Sequence, residues 1–166
     1  VGPNGLLLFQ ADGLVHGNEL WKTDGTDAGT AMLKDINPSL RTDSSYAGIL
    51  GAVSVPGVGP RMLFSANDGV HGIELWISDG TAAGTVLVKD IFPGILGSIY
   101  PGNAQLSQVM IALSHSAALA ASDGFSGLEL WKTNGLGVGT MLVQDIFAGP
   151  ASSTPVKPTR CALTSP

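Results

Sequence analysis

The stretch Glu74–Ile91 reads ELWISDGTAAGTVLVKDI, and the chain writes it twice more, as ELWKTDGTDAGTAMLKDI at Glu19–Ile36 and ELWKTNGLGVGTMLVQDI at Glu129–Ile146. Trp21, Trp76 and Trp131 are 55 residues apart both times, as are Asp35, Asp90 and Asp145, so three units of 55 take up nearly all of the 166 residues. A fixed period of this kind marks a repeat architecture and takes precedence over local readings. One repeat domain over 1–166 is expected, with units of roughly 6–60, 61–115 and 116–166.

Each unit opens with an apolar run that closes on Asp-Gly: LLLFQADG, MLFSANDG and ALAASDG. Asp-Gly between short apolar runs is a hairpin signal, because glycine accepts the positive φ of a tight turn. In the second unit this gives strands at MLFSA, IELWIS and TVLVKDI; a Pro/Gly-rich connection then leads to a looser run, AQLSQVMIAL, expected as a fourth strand. Its counterpart in the first unit is ILGAVSV. Helix is disfavoured, since apolar stretches of helical period are broken by glycine or proline. In IELWIS, Ile73, Leu75 and Ile77 point one way and Glu74, Trp76 and Ser78 the other. In TVLVKDI, Val86 and Val88 are expected opposite Leu87, Lys89 and Ile91. Large apolar groups on both sides predict sheets covered on both faces.

The expected fold class is therefore all-β: three tandem four-stranded antiparallel meanders of about 55 residues, each like one blade of a β-propeller. Closed propellers have about four to eight blades. Three would leave the apolar faces of the end units bare, so an incomplete ring or open stack completed by other chains is expected. Because the repeats keep one phase, the end of the third unit offers a further chain what the second offers the third. Head-to-tail contact of that kind gives a ring if the rotation closes and a filament if it does not.

The string Glu-Leu-Trp-x-x-Asp-Gly-Thr at Glu74–Thr81, followed by Ala-Gly-Thr-Val-Leu-Val-Lys-Asp-Ile, resembles the ELWxxDGT repeat family of bacterial, often large and secreted proteins. The resemblance implies a tandem, propeller-like repeat on extracellular or cell-surface proteins and carries over no activity. The third unit departs from it with Asn134 and Leu136, and the first carries an extra residue, Leu14, in its first turn.

Composition fits two readings equally: a surface that faces another protein surface, or a neutral Ser/Thr/Gly-rich secreted domain. Charged residues make up 13% of the chain, against about 25% in ordinary domains. The net charge of −5 argues against nucleic acid, whose phosphates call for a basic face. No apolar run is long enough for a helical membrane span. The lone Cys161 excludes an internal disulfide. A start at Val1 without a signal-like segment reads as a processed form or a piece of a longer chain.

Among polar residues, those that repeat stand out. First-turn Asp12, Asp68 and Asp123 and second-turn Asp24 and Asp79 could offer oxygens to calcium, but aspartate before glycine also serves a turn locally, and Asn134 keeps the turn while losing the charge. Glu19, Glu74 and Glu129, on the second strands, stand beside those aspartates as further oxygens but read as structural repeat core. Asp35, Asp90 and Asp145 sit at strand ends and also read as structural; a carboxylate buried there needs hydrogen-bond partners such as loop amides or the neighbouring blade's hydroxyls. Trp21, Trp76 and Trp131 read as core, with sugar stacking the alternative. His16 and His71 read as polar turn residues, matched by Ser126; His115 is isolated, and Tyr46 and Tyr100 lie in the variable connections. Nucleophile elbows, zinc-protease motifs and phosphate loops are absent from the sequence, so no enzyme and no cofactor is expected. The expected role is a structural extracellular repeat protein that assembles with copies of itself, the alternative being a glycan-binding module with weak multivalent sites.

Overall fold

The computed structural model describes residues 2–38, 44–99, 110–112 and 115–155; Tyr100, Cys161 and the run AQLSQV lie outside them. Eleven strands are present among the described residues: β1 Leu7–Asp12, β2 Asn18–Thr23, β3 Ala31–Lys34, β4 Gly48–Val55, β5 Gly59–Asn67, β6 Ile73–Ser78, β7 Val86–Lys89, β8 Met110–Ala112, β9 Ala117–Ser122, β10 Leu128–Thr133 and β11 Met141–Gln144. They form three antiparallel sheets, β1-β2-β3, β4-β5-β6-β7 and β8-β9-β10-β11. The all-β, antiparallel expectation holds, with one sheet a strand short. No helix among the described residues is long and apolar enough to cross a membrane.

The strand expected to end each unit instead opens the next sheet. ILGAVSV lies in β4 and pairs with β5, Ile49 opposite Phe64 and Val55 opposite Gly59, and Met110–Ala112 pairs with β9. Chain connectivity explains this. The tight turn after Val55, closed by the Val58 amide on the Val55 carbonyl, ties β4 to β5, whereas a long Pro/Ser-containing connection separates it from β3. The first sheet correspondingly begins at β1.

The sheets follow one another in chain order with an apolar layer at each junction. Leu8, Leu20, Leu33 and Ile36 of the first sheet meet Met62, Phe64, Ala66 and Trp76 of the second. Leu63, Leu75, Ile77 and Ile91 of the second meet Leu119, Ala121 and Trp131 of the third. Opposite sides of β6 thus serve two layers, as the alternation in IELWIS requires. Near the free ends of the sheets β4 lies beside both β1 and β8.

The reading of TVLVKDI is corrected. The register of β7 on β6 shifts between Leu75, opposite Lys89, and Trp76, opposite Leu87. This bulge sets two residues against one and reverses the alternation. Leu87 packs on the first layer, Val88 and Ile91 on the second. Equivalent shifts occur between Leu20 and Trp21 and between Leu130 and Trp131.

Candidate functional site

The second turn accounts for most letters of the repeated string. In the middle sheet the Asp79 Oδ1 accepts from the Thr81 amide and hydroxyl at 2.9 and 2.6 Å. The Thr85 hydroxyl donates to the Thr81 carbonyl and pairs with the Ser78 hydroxyl, which accepts from the Gly80 amide. The same clasp recurs as Thr23–Thr30 and Thr133–Thr140. Alanine-Gly-Thr needs its glycine because a Cβ at Gly84 would stand 2.1 Å from the Asp79 Oδ1. Gly84→Ala is therefore expected to destabilise the chain by about 1–3 kcal/mol, the scale of forced overpacking, read as a lowered urea midpoint.

First-turn aspartates also spend their oxygens on local amides: Asp12 accepts from Leu14, Asp68 from Val70 and His71, and Asp123 from Phe125 and Ser126. The inserted Leu14 adopts φ 61°, and with it His16 pairs with Asp35 at 2.8 Å, whereas His71 pairs with Asp68 at 2.7 Å. Among the described residues no three His, Cys, Asp or Glu side chains gather as a metal site would require.

The buried polar network runs through the glutamates. Glu19, Glu74 and Glu129 are all fully buried. Glu74 accepts from the Ile91 and Phe92 amides at 3.0 and 3.1 Å and from the Ser98 hydroxyl at 2.5 Å. Glu19 accepts from the Ile36 and Ser45 amides, and Glu129 from the Ile146 and Ser153 amides and the Ser153 hydroxyl. Each glutamate thus straps down the chain where it leaves its own sheet. Asp35 bonds the His16 ring through Oδ2, and the Asp145 Oδ2 accepts from the Gly149 amide; the Oδ1 of Asp35, Asp90 and Asp145 is without a partner among the described residues, as is the indole nitrogen of each tryptophan.

Burial pushes Glu19 and Glu74 above the ordinary carboxyl value. At Glu129 desolvation again opposes ionisation, but the Ser153 and Ile146 bonds outweigh it and the shift is downward. Hydrogen bonds likewise hold Asp24, Asp68, Asp79 and Asp123 low, and the Asp68 bond raises His71. A raised group stabilises below its unfolded value, about 4.3 for Glu and about 6.5 for His, and that contribution is lost as pH rises through the folded value. A lowered carboxylate stabilises above its unfolded value and loses this as pH falls. Stability is expected to peak at mildly acidic pH and decline on both sides. Urea midpoints across pH at low protein concentration check this; a monotonic rise to neutrality would contradict it.

A residue set that the sequence reading passed over joins the sheets. The bulge turns Lys34 toward the second sheet, where its ammonium lies 5.9 Å from the Trp76 ring centre and donates to the Thr85 carbonyl at 2.7 Å. Lys89 repeats this on the third sheet, 5.8 Å from Trp131 and 2.8 Å from the Thr140 carbonyl. The Lys-Asp pair at 34–35 and 89–90 was the available signal. Gln144 holds the equivalent place at the end of the chain, while Trp21 and Thr30 hold the receiving place at its start.

Those outward faces are open. Leu7 is 56% exposed where its equivalents Met62 and Ala117 are 8% and 0%. Phe9 and Trp21 are half-buried where Phe64 and Trp76 are buried, and Thr30 is exposed where Thr85 and Thr140 are closed off. On the far side of the third sheet Ile146 is 58% exposed, whereas Ile36 and Ile91 are each 4%. Lys132 stands there in the place of Ile77, but Lys22 holds that same place within the first junction. A scan against protein-family models gives no match to this chain, and neither curated proteins nor solved structures give one.

Proposed function

We propose that this chain is a structural, extracellular repeat protein whose sheets act as propeller-like blades and join head to tail with copies of the same chain. One observation carries the reading: positions buried at the internal junctions are more exposed at their equivalents on the two outer sheets, Leu7 at 56% and Ile146 at 58% above all. The first sheet offers the Trp/Phe face that internal sheets receive on, and the third offers the face that internal sheets present. Two copies closing into six blades, or an open filament, both satisfy this contact.

Glycan binding finds less support. Trp76 and Trp131 are each 6% exposed, so a sugar platform in every unit is missing. The cleft beside Lys132 and Asn134, about 230 Å³, is below the roughly 300–1,000 Å³ usual for ligand sites.

Electron microscopy of the purified chain tests the proposal. Rings or filaments built from the 16.9 kDa unit are expected, and a field of isolated single chains would overturn it. Because Gln144 holds the lysine position of the internal junctions, Gln144→Lys is expected to tighten association about tenfold, the scale of a cation–π contact with a charge-assisted hydrogen bond. Sedimentation equilibrium of the variant beside the parent reads this directly.

A further inference from the structure

We propose that the joint between chains is keyed by charge: Lys132 of one copy docks on Asp24 of the next, so that opposite ends of the chain select each other and their association weakens with salt. This pairing rests on the self-assembly reading and gives it a direction. At each internal junction the second turn of one sheet lies against the sheet before it. A Cβ on Gly135 would meet the Ile77 Cδ1 at 2.9 Å and the Val55 Cγ2 at 2.7 Å, and one on Gly80 would meet the Leu6 Cδ1 at 3.1 Å. The Asn4 side-chain amide also donates to the Asp79 carbonyl at 3.3 Å. Gly25 holds that place on the first sheet, and nothing stands within 4 Å of where its Cβ would be. A copy joined there brings its third sheet against this turn, and with it Lys132, which takes the place of Ile77.

The charges at these places are left unanswered within the chain. Asp79 has Arg61 of its own sheet at 4.0 Å. The third sheet lacks both, with Ser116 for Arg61 and Asn134 for Asp79. The first sheet keeps the acid as Asp24 but has Leu6 for the arginine, and Asp27 adds a second negative charge where the other sheets have Ala82 and Gly137. Among the described residues neither aspartate has a cation within 4.0 Å, and Lys132 has no carboxylate within that distance. The Asp24 Oδ1 is taken up by Thr26, which leaves Oδ2 to face outward partners. Lys132 is exposed and lines the open cleft beside Ser116 and Asn134. Lys22 has the same place at the first junction, but there Leu6 and Asn4 lie on the turn and Arg61 already answers Asp79.

Opposite charges across a contact steer docking and reject wrong pairings, in which like charges meet. Two first sheets brought face to face would set Asp24 and Asp27 against the same two acids. The third sheet offers Lys132 instead, so chains join tail to head.

Sedimentation equilibrium of the full chain tests this at low salt and at about 1 M sodium chloride, where charges are screened beyond about 3 Å. Association is expected to be at least about fivefold weaker at the higher salt. Asp24→Asn keeps the turn, as Asn134 does by accepting from the Leu136 amide at 3.0 Å. It is expected to weaken association at low salt about fivefold. Lys132→Glu sets two carboxylates together and should weaken it at least about tenfold. In that background the sign reverses: adding Asp24→Asn is expected to strengthen association about threefold, since it removes a repulsion. Both side chains are exposed, so thermal melts of the dilute variants should match the parent. Association indifferent to salt, or an Asp24→Asn effect of the same sign in both backgrounds, would overturn the charge pair while sparing the self-assembly reading. A parent chain that stays single at every concentration and at both salts would remove that reading, and the pair with it.

Discussion

Trp76→Ala is expected to cost about 3–5 kcal/mol, the range for emptying a buried aromatic site, and Trp131→Ala about as much, while Trp21→Ala costs the isolated chain no more than about a third of that. The three residues occupy the same letter of the same string, yet their surroundings differ. Trp76 is 6% exposed, its ring centre 6.3 Å from that of Phe64, with the Lys34 ammonium over its face. Trp131 is buried under Lys89 and the second apolar layer. Trp21 is only half-buried, on the outer face of the first sheet. For a chain of this size about 1 kcal/mol moves the melting temperature by about 2–4 °C, so the internal variants should melt roughly 10 °C lower. The substitution at Trp21 should act chiefly on association between chains. Thermal melts of the three variants, run dilute and then concentrated, separate the two effects. Equal losses from all three in dilute solution would mean that the first sheet's outer face is already covered.

Glu74→Ala is the second large loss. The carboxylate is fully buried and accepts from Ile91, Phe92 and Ser98. Each buried donor left unpaired costs about 1–3 kcal/mol, so the total is at least about 3 kcal/mol, a large part of the roughly 5–15 kcal/mol that holds a domain together. Glu74→Gln keeps the volume but turns an NH2 group toward donors that need an acceptor, and most of the loss should remain. It should also flatten the decline of stability above mildly acidic pH, because the group whose ionisation burial opposes is gone. Urea titrations of the parent and both variants measure this. A Glu74→Gln protein as stable as the parent would show that the strap contributes little.

How much of this was legible follows from what is local. The hairpins came from Asp-Gly turns, and the double-sided sheets from the mixed faces of IELWIS, since both depend on neighbours in sequence. The sheet to which ILGAVSV belongs was not legible, because a strand between two meanders pairs equally well with either on pattern alone and only the short turn at Val58 decides. The bulge opposite Leu75 and Trp76 was hidden for a similar reason: inserting one residue leaves the letters of TVLVKDI unchanged while reversing where Leu87 and Ile91 point. The glutamates stood out as repeating, but of their partners only Ser98 and Ser153 keep the 55-residue period, Ser45 being two residues out of it. Lys34 and Lys89 were passed over because what they touch is on the next sheet.

The bareness of the end sheets is tested most directly by sedimentation equilibrium of the full chain over a wide concentration range. The mass is expected to rise from 16.9 kDa in whole-number multiples, reaching a plateau at a closed ring or climbing without limit as a filament. A single species of 16.9 kDa at every concentration would contradict the claim that the outer faces of the first and third sheets are built to meet.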